Sequence, residues 1–546
     1  MVLNTIWRSK QGPMKKLWMV IWLSSQCVAL TAQIDSRALE QILIREQTEQ
    51  APGLVVGLWQ NGVPLFMHSS GLSNLEHGIK ANPKTTFHLS FLSQQFIEYS
   101  IMQLVKEGKL DRNDPVTQYL DWLPQVFEKV QIRHLLNHSS GLPDYWALRV
   151  LAGWGYDDPM STAQAVAMIS NINQLNQEPG EKTLYANTNP FLLAQVIEAL
   201  SGQSIGKYLD SQIFTPLGMK NASVITDHTA LVRNKASTYA HDGKAWNTAF
   251  SHHADVGPWG VYASMEDLRL WLNHLAQLPP SDQTELWKTQ IYQGNEYRYR
   301  VGFYNGYRGF IGTFGDGYHI AILSADLYLN SWNQAMEIMG LLNPGEDSRG
   351  TTDPTSRGTK TIAFDPNLYV GDYWDPKEFH SRSIRYERDT LYYVTPDGWR
   401  SALEATAQHE FKMLQSAAGR KVWFNPAGLE PEMAVGYSQD DAYRYYAYDA
   451  ITPSVKELEE LVGDYYLPDL KAIYSLYVQD GKLYAKHFRN PPLRLDPLDR
   501  DRFANEDEWY FSMVSFQRNM KGQITGFRLD TPELTGLFFH KTDLPK

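Results

Sequence analysis

The chain has 546 residues, 43% hydrophobic and 20% charged, the balance of a globular rather than a disordered protein and too long for one ordinary core. Fifty basic against 61 acidic residues leave a formal net charge of −11, which offers no basic face for nucleic acid. The single cysteine, Cys27, excludes a disulfide framework, and the 13% aromatic content reads as packing in β-structure ahead of a sugar-binding surface.

Lys15 and Lys16 precede a short apolar run over 17–23, and small residues follow to Ala32. This pattern predicts a secretory signal peptide over 1–32, shorter than the roughly 20 residues of a membrane span, and therefore an exported, periplasmic or extracellular protein. Cys27 falls inside this segment, and Gln26 before it argues against a lipid anchor there. Apolar residues at helical spacing predict a helix over 35–47, with Asp35 able to cap it. Two apolar runs, 53–59 and 63–67, flank Gln60-Asn61-Gly62 and predict a hairpin. Helical patterns then cover 95–106, 162–169, 192–201 and 264–275, ahead of a strand over 318–323. Strands at both ends of a helical middle predict an α+β domain over 33–345 with an antiparallel sheet.

A polar stretch rich in Gly, Pro, Ser and Thr over 343–360 marks a linker, drawn at 346–362. Beyond it the sequence repeats at one offset of 92 residues. Val370-Gly371-Asp372-Tyr373-Trp374 matches Val462-Gly463-Asp464-Tyr465-Tyr466, and Leu391, Leu403, Phe411, Val422 and Phe424 match Leu483, Leu495, Phe503, Val514 and Phe516. A constant offset over this length predicts two copies of one small domain, 363–452 and 453–546. Alternating runs over 472–478, 482–487 and 524–529 make both all-β, barrel- or sandwich-like.

Several segments of 33–345 carry a resemblance. Phe87 through Pro124, then His134 through Tyr145, Pro179-Gly180, Tyr185-Ala186-Asn187 and Phe214 through Met219, resemble the serine β-lactamase and penicillin-binding protein superfamily, in its class C-like D-alanyl-D-alanine carboxypeptidase branch. The resemblance implies a serine hydrolase fold in which a serine lies one helical turn before a lysine. That spacing puts hydroxyl and amine on one helix face, where the amine takes the proton as the oxygen attacks a carbonyl. In this chain Phe91 stands at the serine position and Gln94 at the lysine position. A phenyl ring is no nucleophile and a neutral amide is no useful base.

Ser90 and Ser93 are the alternative hydroxyls, read as helix-start capping or packing residues, with a displaced nucleophile as the second reading. Tyr185 and Asn187 keep the positions that the resemblance assigns to proton transfer and to substrate-amide binding. The third motif should fall over 306–320. There His319 reads as a packed strand histidine, while Pro258 and Trp259 add bulk beside the expected cleft. His134 and His138 stand at i, i+4, as if on one helix, but no third ligand is suitably spaced, so no metal is expected, and no cofactor. The expected function is therefore an exported hydrolase homologue, inactive by the Ser-x-x-Lys route, that binds a cell-wall peptide or small molecule in the old cleft or a protein through the β modules. The alternative is an ester or amide hydrolase with a displaced nucleophile.

Overall fold

Alternation along the first strand builds two cores at once: Leu54, Val56 and Leu58 face one side of a sheet, Val55 and Trp59 the other. In the computed structural model, which describes residues 36–44, 49–249, 252–292, 295–315, 317–342, 364–416, 420–428, 431–439 and 442–542, this sheet organises the N-terminal domain. The expected signal segment, Asp35 and the linker over 346–362 lie outside the described residues. No helix among the described residues is long and apolar enough to cross a membrane.

Helix α1 (Ser36–Ile44) leads into β1 (Leu54–Gln60) and β2 (Val63–Ser70). The helical middle contains α2 (Gln94–Lys106), α3 (Tyr145–Leu151), α4 (Thr162–Ile169), α5 (Thr188–Ser201), α6 (Met265–Ala276) and α7 (Pro280–Leu286). Strands β3 (Lys288–Tyr292), β4 (Asn295–Tyr304), β5 (Tyr307–Phe314) and β6 (Tyr318–Ser324) follow, then α8 (Ser331–Leu342). The sheet runs β3-β4-β5-β6-β1-β2, antiparallel throughout, so its first strand in chain order pairs with its last. Helices α1 and α8 cover the Leu54 side, and α2, α5 and α6 contribute to the core on the other. The hairpin turn is as expected: Asn61 and Gly62 both take positive φ, 49° and 82°, as a two-residue turn between twisted strands requires.

The C-terminal repeats are two closed eight-stranded barrels, spanning Gly371–Tyr448 and Gly463–Thr542 in their strands. The offset of 92 survives in their side-chain bonds. Tyr373 donates to the Tyr369 carbonyl at 2.8 Å and Tyr465 to that of Leu461 at 2.7 Å. Ser383 donates to Asp372 at 2.6 Å and Ser475 to Asp464 at 2.5 Å. The first barrel fills its interior with a core of its own, whereas the second shares one continuous core with the N-terminal domain.

Candidate functional site

Residues 90–93 form one 3-10 turn that runs directly into α2, so Phe91 and Gln94 project one turn apart, as their spacing predicts. Phe91 is held by three rings: Phe303 of β4 edge-on at 5.0 Å, Tyr185 edge-on at 6.0 Å and Trp259 tilted at 5.9 Å. Trp259 stacks on Tyr304 at 5.2 Å and meets Trp146 at 5.0 Å, and the Arg149 guanidinium lies over Trp146 at 4.1 Å. Aromatic pairs in such edge and offset geometries contribute about 0.5–1.5 kcal/mol each beyond their burial. The bulk expected at Trp259 is thus packed against the Phe91 ring, at the position where the resemblance expects the nucleophile. None of five cavities among the described residues, of about 20 to 950 Å³, is lined by Phe91, Gln94, Tyr185 or Asn187.

Beside this cluster runs a relay of polar side chains. Gln94 Nε2 donates to the Tyr185 hydroxyl at 2.6 Å, which donates to Asn187 Oδ1 at 2.9 Å. Asn187 Nδ2 and its backbone N–H both donate to Asp144 Oδ2, at 2.8 and 2.7 Å. The other oxygen of Asp144 caps α3 by accepting from the Trp146 and Ala147 amides. Burial raises the Asp144 carboxyl above its ordinary range, opposed by these donors. Burial also raises Tyr185 far above an ordinary phenol: the residue as a whole is 37% exposed, but its hydroxyl is hydrogen-bonded between Gln94 and Asn187. A phenol in that state is a poor source of phenolate. Asp144 was not singled out in the sequence, although an Asp directly before an apolar helical run is a readable cap.

The two serines take other roles than capping. Neither makes a side-chain cap bond. Ser93 is fully buried and its Oγ accepts the Val261 N–H at 3.2 Å, a packing and strand-anchoring bond. Ser90 takes a left-handed φ of 54°, rare for a residue with a Cβ, and its enclosed Oγ has no hydrogen-bond partner. The His88 ring beside it faces the backbone N–H groups of Ser90 and Gly260 at 3.2 and 3.3 Å rather than the Ser90 hydroxyl.

His134 and His138 are not on one helix. The helix ends at Leu136, and His138 follows Asn137 with a φ of 50°, outside the helical region, because the chain turns there toward Tyr185. His134 Nδ1 accepts the Gln131 N–H in a capping box. The His138 ring lies at 4.6 Å from that of Tyr185, its Nδ1 is bonded to Asn189 Nδ2 at 3.0 Å, and burial lowers it to about 3. His319 is a buried strand histidine on β6. Register places it opposite Thr313, five residues and roughly 17 Å along β5 from Arg308, the partner of Phe303. It does not reach the Phe91 cluster. The cation nearest that cluster from the expected third-motif segment is Arg308, whose guanidinium is 5.8 Å from the Phe303 ring centre.

The β-lactamase family model matches residues 40–333, more than half of the chain, and the chain belongs to that family. It is 31% identical over 241 residues to a D-aminopeptidase of Brucella anthropi, a match covering 44% of this chain and 46% of that one. A D-aminopeptidase of Brucella canis is 30% identical over 226 residues, 41% of this chain and 43% of that one. The chain thus spans about half the length of the curated relatives it matches. In structure it resembles the octameric penicillin-binding protein homologue from Pyrococcus abyssi, with a TM-score of 0.52 and 20% identity, over 76% of this chain and 100% of that one.

Proposed function

We propose that this chain is an exported, non-acylating member of the β-lactamase family that uses the remnant of the cleft to hold an amide- or peptide-type ligand in the cell envelope. The observation that carries this reading is the pair Phe91 and Gln94: an aromatic ring packed by Tyr185, Trp259 and Phe303, and an amide bonded to Tyr185, where acyl transfer needs a hydroxyl and an amine. Losing nucleophile and base together removes the unit on which the rate depends and leaves only binding contributions. Phe303 is 54% exposed and Tyr185 partly so, which leaves an aromatic surface at the cleft mouth to meet a ligand. The likeness to D-aminopeptidases points to ligands with a D-residue, such as cell-wall peptides. The C-terminal barrels supply the surface for a protein partner. The test is turnover of a chromogenic cephalosporin and of D-alanine p-nitroanilide by purified protein. No turnover above a heat-inactivated control is expected, and turnover abolished by a substitution within the cluster overturns the reading.

One observation favours a second reading, a hydrolase with a displaced nucleophile: the strained backbone and unpartnered hydroxyl of Ser90. A fluorophosphonate probe followed by peptide mapping separates the two. Label on Ser90 or Ser93 supports the displaced nucleophile, and an unlabelled segment supports the non-acylating site.

A further inference from the structure

The segment 153–158, between α3 and α4, is held on two sides at once. From the second barrel, Trp509 Nε1 donates to the Tyr156 hydroxyl at 2.7 Å, and Arg489 donates to Asp158 Oδ2 at 2.6 Å. The same Asp158 oxygen accepts the Gly155 N–H at 2.7 Å, so one carboxylate ties the bend of the segment to the barrel. His487 of the barrel lies directly against Gly153. A Cβ there would stand 1.9 Å from the imidazole, and the φ of 86° also calls for glycine.

On the side of the old cleft, the Tyr156 carbonyl accepts from Asn305 Nδ2 at 3.2 Å and from the Tyr304 hydroxyl at 3.5 Å. Tyr304 stacks on Trp259, and Trp259 packs on Phe91. Tyr156 thus bridges barrel and cleft, its hydroxyl on one and its carbonyl on the other. Arg149 of α3 makes this arrangement costly. It is wholly buried, with Nη2 donating to the Gly155 and Asp158 carbonyls at 2.8 and 2.6 Å. Its Nε and Nη1 are enclosed with no partner among the described residues. Its guanidinium lies over Trp146, which in turn meets Trp259 and Tyr304. Enclosed, unpaired N–H groups on a cation are unfavourable, and both regain water if the segment lifts. The closed arrangement therefore leans on the bonds that the barrel supplies.

We propose that residues 153–158 are a strap through which docking of the second barrel holds the Phe91 cluster closed, so that a partner drawing the barrel away opens the old cleft. Such coupling runs both ways, and whatever opens the cleft loosens the barrel. It belongs to the unliganded chain and stands whether or not the cleft binds or acylates anything. Hydrogen exchange read by mass spectrometry on the full chain tests it, in Tyr156→Phe and in Arg489→Ala with Trp509→Phe. Tyr156 is 41% exposed, so its variant loses the hydroxyl that Trp509 meets and little else. Backbone exchange over 256–262 and 302–306 is expected to accelerate together with that over 153–158. The expected gain is about threefold in Tyr156→Phe and about tenfold or more in the double variant, with 318–324 in β6 unchanged. Acceleration confined to 153–158 overturns the proposal, as do parental rates in all three segments. If the double variant exchanges faster everywhere, β6 included, it has unfolded, and Tyr156→Phe alone decides.

Discussion

Gln94 shows what an amide does at the position where the resemblance expects a lysine. An amine there would be a cation needing a counter-charge or deprotonation on burial; the amide needs only a hydrogen-bond partner, and Tyr185 supplies it at 2.6 Å. Removing that partner tests the relay. Tyr185→Phe leaves the Gln94 amide and the Asn187 carbonyl without their bonds and should cost about 1–3 kcal/mol in urea unfolding. The reverse substitution tests the chemistry. Phe91→Ser with Gln94→Lys restores hydroxyl and amine one turn apart, and a weak penicillin adduct by intact mass is expected of the double variant and of neither single one. Failure of the double variant would place a further block at Trp259, which packs on the same position. At this scale the sequence was informative wherever a motif has a fixed local spacing, as for Phe91, Gln94, Tyr185 and Asn187. It was silent on Phe303, Trp146 and Tyr304, because only the fold brings β4 and α3 against the 3-10 turn.

Secondary structure was legible wherever one local rule prevailed. Asn61-Gly62 declared its hairpin because both positions need left-handed φ. The helix over 264–275 runs Met265–Ala276 as built, capped by the Ser264 side chain. The His134–His138 spacing misled, since i, i+4 implies a shared face only while the helix lasts, and this one stops at Leu136. The 92-residue repeat was the strongest signal in the chain, and it makes a prediction about equivalent bonds. Tyr373→Phe and Tyr465→Phe each remove a buried hydroxyl that closes the same four-residue loop, and each should cost about 1 kcal/mol. Comparable losses in denaturant unfolding would support functional equivalence of the two positions; a loss at only one would show that the barrels have diverged energetically.

Across the whole molecule the second barrel is bound to the hydrolase-like domain far more closely than two consecutive modules require. Tyr474 donates to the Leu151 carbonyl, Asn490 to that of Val150 and Trp509 to the Tyr156 hydroxyl, and Arg489 pairs with Asp158 at 2.6 Å. No sequence rule reveals this interface, because its partners are more than 300 residues apart. Deleting residues 453–546 should therefore expose Leu148 and Leu151 and lower the melting temperature of what remains. An unchanged melting temperature would show the shared core to be dispensable. The same interface carries a pH dependence. Glu533 of the second barrel meets the Asp144 amide through its carbonyl, and burial, with the Asp144 charge, raises its carboxyl to about 7. A carboxyl with a raised folded pKa holds its proton more tightly when folded, so its contribution is most favourable below about pH 4.5 and declines as pH rises toward about 7. The decline is at most roughly 3 kcal/mol. Glu533→Gln should flatten it, read as urea midpoints of the two proteins at about pH 5 and about pH 8; parallel slopes in both would exclude Glu533 as the source.

The proposal that the Phe91 site does not acylate is tested most directly by the intact mass of the wild-type protein after prolonged incubation with a reactive penicillin. The account predicts an unshifted mass, because among the described residues the Ser90 Oγ has no hydrogen-bond partner, the Ser93 Oγ accepts a backbone N–H and the Tyr185 hydroxyl is bonded to the carboxamides of Gln94 and Asn187, none of which is a base. A stoichiometric adduct that maps to Ser90, Ser93 or Tyr185 would contradict it.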